Sequence, residues 1–135
     1  MKSLDTNVLV HYYAQDDALQ SAAAYRVMDR EPALFVAKTV LLELFWVLTK
    51  APSYAFQQDK SLSVVRHLIS LPNVTVENYA AVDTALAWSD SGIEFPDALH
   101  LASSRHCSEM LTFDDKRFAK RVSKSGIVPP CRVPA

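Results

Sequence analysis

The chain has 135 residues, half of them hydrophobic, with two glycines and with 14 Lys and Arg against 15 Asp and Glu, a formal net charge of −1. That length suits one domain that buries roughly two thirds of the surface its unfolded chain would expose, and the composition excludes a disordered linker or low-complexity tail. The even charge balance excludes nucleic-acid binding through a globally basic surface, so any such partner must meet a local basic patch.

Met1–Leu4 reads as a short strand, and Thr6–Ala14 as a helix whose Val8, Leu9 and Tyr12 recur at helical spacing. A second helix, about Leu19–Arg30, is rich in Ala and stops at Pro32. Leu34–Ala37, short, apolar and bounded by breakers, fits a buried strand, and Thr39 is placed to cap a helix over Val40–Lys50. A helix from about Phe56 to Leu71 ends at Pro72, Val74–Val76 is a β-branched strand, and a helix from about Tyr79 to Ser89 is closed by Gly92. Pro96 opens a helix over Asp97–His106, and Glu109–Phe113 is the next strand. A basic helix over Lys116–Val122 and a short strand near Ile127 complete the chain. Strands alternating with helices imply a parallel sheet between helices, because parallel neighbours need crossover connections.

Cys107 and Cys131 fall at no metal-ligand spacing and fit a reduced pair. The start MKSLDTN lacks a signal-peptide apolar region, and the apolar run Val40–Leu48 is broken by Glu43 and too short to span a bilayer. A soluble, cytoplasmic protein with no membrane partner is the expectation.

Four acids resist a plain core reading. Glu43 interrupts TVLLELFWVL, a helix apolar on nearly every face and so expected to be buried all round. Such a Glu lies on one solvated stripe, pairs with Lys38 or Lys50, or faces a polar cavity. Asp5 and Asp114 end the first and fourth strands, and the carboxyl ends of a parallel sheet share one edge, where ligands bind. Asp97, in FPDALHLA, stands in a helix's first turn, where the backbone dipole favours a charged carboxylate, as a cap or at a site. Four carboxylates in one pocket repel one another unless a cation lies between them. Oxygen donors select Mg²⁺ or Mn²⁺ before Zn²⁺, while His11, His67, His100 and His106 are scattered and read as surface or packing residues. The chemistry implied is metal-dependent hydrolysis of a phosphate ester.

LDTNVLV, the isolated Glu43, FPDALHLA and TFDDKRF follow one another in the order seen in PIN-domain ribonucleases, and the chain resembles the VapC-type toxins of bacterial toxin-antitoxin pairs over nearly its whole length. The resemblance implies a single PIN-like nuclease domain over residues 1–135, α/β in class, a three-layer αβα sandwich with a central, mostly parallel sheet of about five strands. It implies Mg²⁺ or Mn²⁺ held by Asp5, Glu43, Asp97 and Asp114, and a metal-activated water that cuts RNA to leave a 5′-phosphate and a 3′-hydroxyl. Asn7 and Thr112 would orient the acids and the water. It further implies a homodimer and a cognate antitoxin whose tail blocks the pocket, often with an Arg. Of the adjacent acids in TFDD, alternation along an extended strand end sends Asp114 and Asp115 apart, and Asp114, after the Phe, is the one assigned to the metal.

Lys116, Arg117, Lys120 and Arg121 project from a helix whose Phe118 and Val122 face inward, either as a solvated face or as an RNA phosphate contact. Phe45, Trp46, Tyr12, Tyr13 and Tyr54 serve core packing or a pairing surface. Two other functions compete. An aspartyl-phosphate phosphatase also places an Asp at the first strand end, but it wants a second Asp where this chain has Asn7. A non-catalytic RNA-binding or interaction module would have no need of all four acids.

Overall fold

Parallel pairing organises the first 79 residues of the computed structural model, which describes residues 1–135 and divides into two units, Met1–Tyr79 and Ala80–Ala135. In the first unit, β1 (Lys2–Ser3), β2 (Leu34–Val36) and β3 (Val74–Val76) lie in that order, all parallel, with Lys2 opposite Leu34 and Leu34 opposite Val74. Two helices cross over between each pair of strands: α1 (Thr6–Ala14) and α2 (Ala18–Arg30), then α3 (Lys38–Lys50) and α4 (Gln58–Ser70). Asp17 caps α2 by accepting from Gln20 N–H at 2.9 Å. The side-chain amide of Asn73 donates to the carbonyls of Met28 and Glu31, tying the end of α2 to the entry of β3.

The helix α3 carries a buried stripe, Leu41, Leu44, Phe45 and Leu48, and packs beside α1 and α4. It is not buried all round, as its apolar composition suggests: Thr39, Glu43, Trp46 and Lys50 recur at helical spacing and form an exposed stripe. Trp46 is 59% exposed, so much of the helix's apparent hydrophobicity belongs to its solvent face. Nor does Thr39 cap it. The helix starts at Lys38 after Ala37, and Lys38 N–H donates at 2.9 Å to Oε1 of Glu77, just beyond β3.

The second unit holds most of α5 (Tyr79–Ser89), then α6 (Phe95–Ser103), β4 (Met110–Leu111), a π-helical turn (Asp115–Ala119), α7 (Lys120–Ser125) and β5 (Cys131–Arg132). The strands β4 and β5 pair in parallel. Pro96 stands at the opening of α6, which begins before Asp97 and ends three residues before His106. Phe118 and Val122 are buried, as the spacing of the basic segment requires, although its first turn is π-helical. The last strand is Cys131–Arg132, beyond Ile127. Cys107 and Cys131 are free thiols, and no helix is long and apolar enough to cross a membrane.

Five strands are present, as expected, but they form one sheet of three and one of two. Each ladder lies within one unit: Lys2 and Leu4 donate to Ala33 and Phe35 along β1, and Met110 and Thr112 donate to Pro130 and Arg132 along β4. Asp5 lies just beyond β1 and Asp114 just beyond β4.

Substitutions at Leu44 in α3 and at Glu77 beyond β3 separate the core of α3 from its remote cap. Leu44→Ala removes a wholly buried side chain and is expected to lower unfolding free energy by about 2–5 kcal/mol. Glu77→Ala, which loses an exposed cap, is expected to cost about 1 kcal/mol, with Glu77→Gln closer to wild type. Urea denaturation of the three variants checks the ranking.

Candidate active site

In the first unit the chain leaves β1 at Leu4, whose N–H donates to the Phe35 carbonyl at 2.9 Å, and turns directly into α1 at Asp5. Asp5 is the N-cap, and its Oδ1 accepts from Thr6 N–H at 2.8 Å. Asp5, Thr6, Asn7, His11, Glu43 and Tyr54 line one open pocket. Glu43 reaches it from the exposed stripe of α3, in that helix's second turn. The Thr6 hydroxyl is buried and has no hydrogen-bond partner. Asn7 lines the pocket from the first turn of α1, one turn before His11.

His11, read from the sequence as a surface or packing residue, and Tyr54, read as core packing or a pairing surface, are polar residues of this pocket that the site assignment left out. Both are held by Asp16: His11 Nδ1 lies 2.8 Å from Oδ1, and the Tyr54 hydroxyl donates to Oδ2 at 2.6 Å. These bonds, Tyr54's first and His11's second, hold the exposed Asp16 carboxyl below its ordinary range, and the same carboxylate pushes the Tyr54 phenol up. A signal existed, since His11 follows Asn7 by four residues and so shares its face of α1. Of the other histidines, His67 is a packing residue, with Nδ1 2.8 Å from the Tyr13 hydroxyl and the two rings edge to face. Tyr13 joins α1 to α4 through that contact, Tyr12 stacks on Tyr25, and Phe45 is buried.

In the second unit Asp97 lies in the first turn of α6, partly buried. Its carboxyl is pushed up, first by burial, then by the negative charges of Glu94 and Asp114, against a smaller pull from His100. Asp114 is fixed at both ends: Thr112 Oγ1 accepts from its N–H at 3.0 Å, and its own Oδ1 accepts from Arg117 N–H at 3.0 Å as the cap of the π-helical turn. Asp115 is not the continuation of an extended strand. It opens that turn and lies 3.5 Å from Lys120 Nζ. Of the basic residues, Lys120 is thus engaged, Arg121 donates to the Gly92 carbonyl at 2.7 Å, and Lys116 and Arg117 extend exposed side chains.

None of Asp5, Glu43, Asp97 and Asp114 takes part in a salt bridge. Within neither unit do three His, Cys, Asp or Glu side chains gather as a ready metal cluster. What each unit supplies is a pair: Asp5 with Glu43 around one pocket, and Asp97 with Asp114 in electrostatic contact. Carboxylates, an amide and an unpartnered hydroxyl are hard oxygen donors, and they fit Mg²⁺ or Mn²⁺.

A folded-state value above the unfolded one stabilises the fold fully below the unfolded value, and this stabilisation is lost as pH rises through the folded value. Ionised Asp97 therefore opposes folding at neutral pH, by an amount that solvent screening reduces. Carbon-detected titration of chelator-treated protein is expected to show Asp97 above the ordinary Asp range and to show it fall in Asp114→Asn. Asp97→Asn is expected to be at least as stable as wild type at pH 7, with no such advantage in acid.

The sequence model of the PIN domain matches residues 3–124, a span that runs through both units and all four acids. A comparison with curated proteins gives no significant match. Among solved structures, the chain is similar to VapC20 of Mycobacterium tuberculosis, a sarcin-ricin-loop-cleaving toxin, at 20% identity and a TM-score of 0.45 over 95% of this chain and 97% of that one. It is also similar to VapBC2 from Rickettsia felis bound to a promoter DNA fragment, at 14% identity and a TM-score of 0.37 over 98% of this chain and 97% of that one. Matched over most of its length, the chain belongs to the PIN-domain family.

Proposed function

We propose that this chain is a Mg²⁺- or Mn²⁺-dependent endoribonuclease, a single nuclease domain acting as the toxin of a type II toxin-antitoxin pair of the VapC type. The observation that carries the reading is the pairing of carboxylates without salt bridges, Asp5 with Glu43 and Asp97 with Asp114, in a chain of the PIN-domain family.

Asp5, Glu43, Asp97 and Asp114 would hold the ion. When bound, a divalent cation there supplies charge neutralisation for the phosphoryl oxygens and a more acidic water. The chain's own residues do the rest. Asp5 is oriented by the Thr6 N–H, and Asp114 by Thr112 and Arg117. Asn7, on the wall of the same pocket, orients the water and the adjacent carboxylates, and Thr112 acts through Asp114. Lys116 and Arg117 on the π-helical turn, with Lys120 and Arg121 behind them, offer positive charge to RNA phosphates, which position a strand without reading its sequence. A cognate antitoxin that inserts an Arg among the carboxylates would neutralise them as the cation does and so shut the enzyme off. Homodimerisation and a cytoplasmic location complete the reading.

Asp5→Asn tests it cleanly, because the Asn side-chain oxygen can still accept from Thr6 N–H and keep the cap. Cleavage of an RNA panel is expected to require Mg²⁺ or Mn²⁺ and to fall about a hundredfold or more in Asp5→Asn, and likewise in Asp97→Asn, with the fold intact by circular dichroism. Equal activity in wild type and Asp5→Asn would remove the site. Trapping of a phosphoryl group on Asp5 would replace the nuclease with a phosphatase.

A further inference from the structure

We propose that His11 is a substrate-binding residue of the acidic pocket, contacting an RNA phosphate through Nε2, and that Asp16 and Tyr54 are the residues that position it. The proposal rests on the nuclease reading for its substrate, but not for its geometry.

The tautomer follows from the partner. An ionised carboxylate can only accept, so the 2.8 Å contact between His11 Nδ1 and Asp16 Oδ1 makes Nδ1 the donor. Asp16 is kept ionised by that bond and by the Tyr54 hydroxyl on its other oxygen. The ring is thereby fixed by its Nδ1 edge, and Nε2 is left as the nitrogen without a protein partner, on a side chain that lines the pocket with Asp5 and Glu43. The backbone beneath it is also pinned: the His11 carbonyl accepts from Ser21 Oγ at 2.8 Å and from Gln15 N–H at 3.1 Å.

Charge gives this arrangement a purpose. Asp5 and Glu43 repel a polyanion, and among the residues lining their pocket His11 is the one that can carry positive charge. It stands in the last turn of α1, where the helix dipole favours a cation. A phosphate oxygen at Nε2 needs a donor there, which the ring offers when both of its nitrogens carry a proton. The ring's two hydrogen bonds are then both charge-assisted. Tyr54 also lines this pocket, and its hydroxyl is committed to Asp16.

The test pairs cleavage kinetics with binding of a fluorescein-labelled single-stranded RNA, the latter measured in the Asp5→Asn background so that the probe is not consumed. His11→Ala is expected to raise KM and the dissociation constant about tenfold, to leave kcat within about threefold, and to lower the slope of log affinity against log salt by about one. His11→Arg, which restores a cation with a free N–H, is expected to recover most of the binding, whereas His11→Gln is not. Asp16→Asn is expected to give a smaller loss in the same parameters. A purely structural His11 would alter stability but leave the salt slope unchanged, and undiminished binding by a folded His11→Ala overturns the proposal while the nuclease reading stands. If the wild type cuts no RNA yet binds the probe through His11, the nuclease reading falls and the phosphate contact remains. If it neither cuts nor binds, both fall.

Discussion

The bond from Leu4 N–H to the Phe35 carbonyl closes the β1–β2 ladder, and the chain changes direction at the next residue. Everything at the first acidic pocket depends on that closure. A parallel ladder puts the carboxyl ends of β1 and β2 on one edge, and each strand there feeds a helix, α1 from Asp5 and α3 from Ala37. Two helix N-termini side by side bring positive dipole ends and unpaired N–H groups to a single place. Carboxylates collect there because the backbone favours them. Asp5 caps α1, and Glu77, arriving at the end of β3, caps α3.

That backbone preference does not remove the repulsion between the acids themselves. Asp97 shows the conflict directly, since its carboxyl is raised by burial and by two neighbouring negative charges although it sits in the favoured first turn of a helix. A fold that retains such a group without a salt bridge gives up some stability at neutral pH. The opposite arrangement holds at Asp16, where a tyrosine hydroxyl and an imidazole both stabilise the anion. Asp97 stands without a salt bridge, and Asp16 already has its partners.

The local pattern of the chain was legible where it depends on nearby residues. Thr6–Ala14, Val74–Val76 and Tyr79–Ser89 have the bounds that periodicity and breakers indicate. It was illegible where a distant or unusual backbone intervenes. Nothing near Lys38 indicates that Glu77, 39 residues away, supplies the cap of α3. Trp46 made α3 look buried on a face that is exposed. His11 was read as a surface or packing residue and its contact with Asp16 was not foreseen, because Gln15 takes a left-handed conformation, with φ of 53°, a choice that sequence propensity assigns to glycine or asparagine. That single turn ends α1 and reverses the chain, so that a residue five positions on meets the helix it has just left.

The four acids also differ in how firmly they are held, and the difference follows from where each stands. Asp5 and Asp114 occupy strand-to-helix junctions, and each commits one carboxylate oxygen to a backbone N–H, which fixes the rotamer and leaves the second oxygen for a ligand. Glu43 and Asp97 project from within helices and have no such anchor. Each unit thus holds one fixed and one adjustable carboxylate, Asp5 with Glu43 and Asp114 with Asp97, and such a pair needs little reorganisation to receive a ligand. Replacing a junction acid by its amide keeps the backbone bond and removes only the charge. Replacing it by alanine also unfastens the helix, so alanine variants at Asp5 and Asp114 mix a folding defect with a chemical one, whereas those at Glu43 and Asp97 do not.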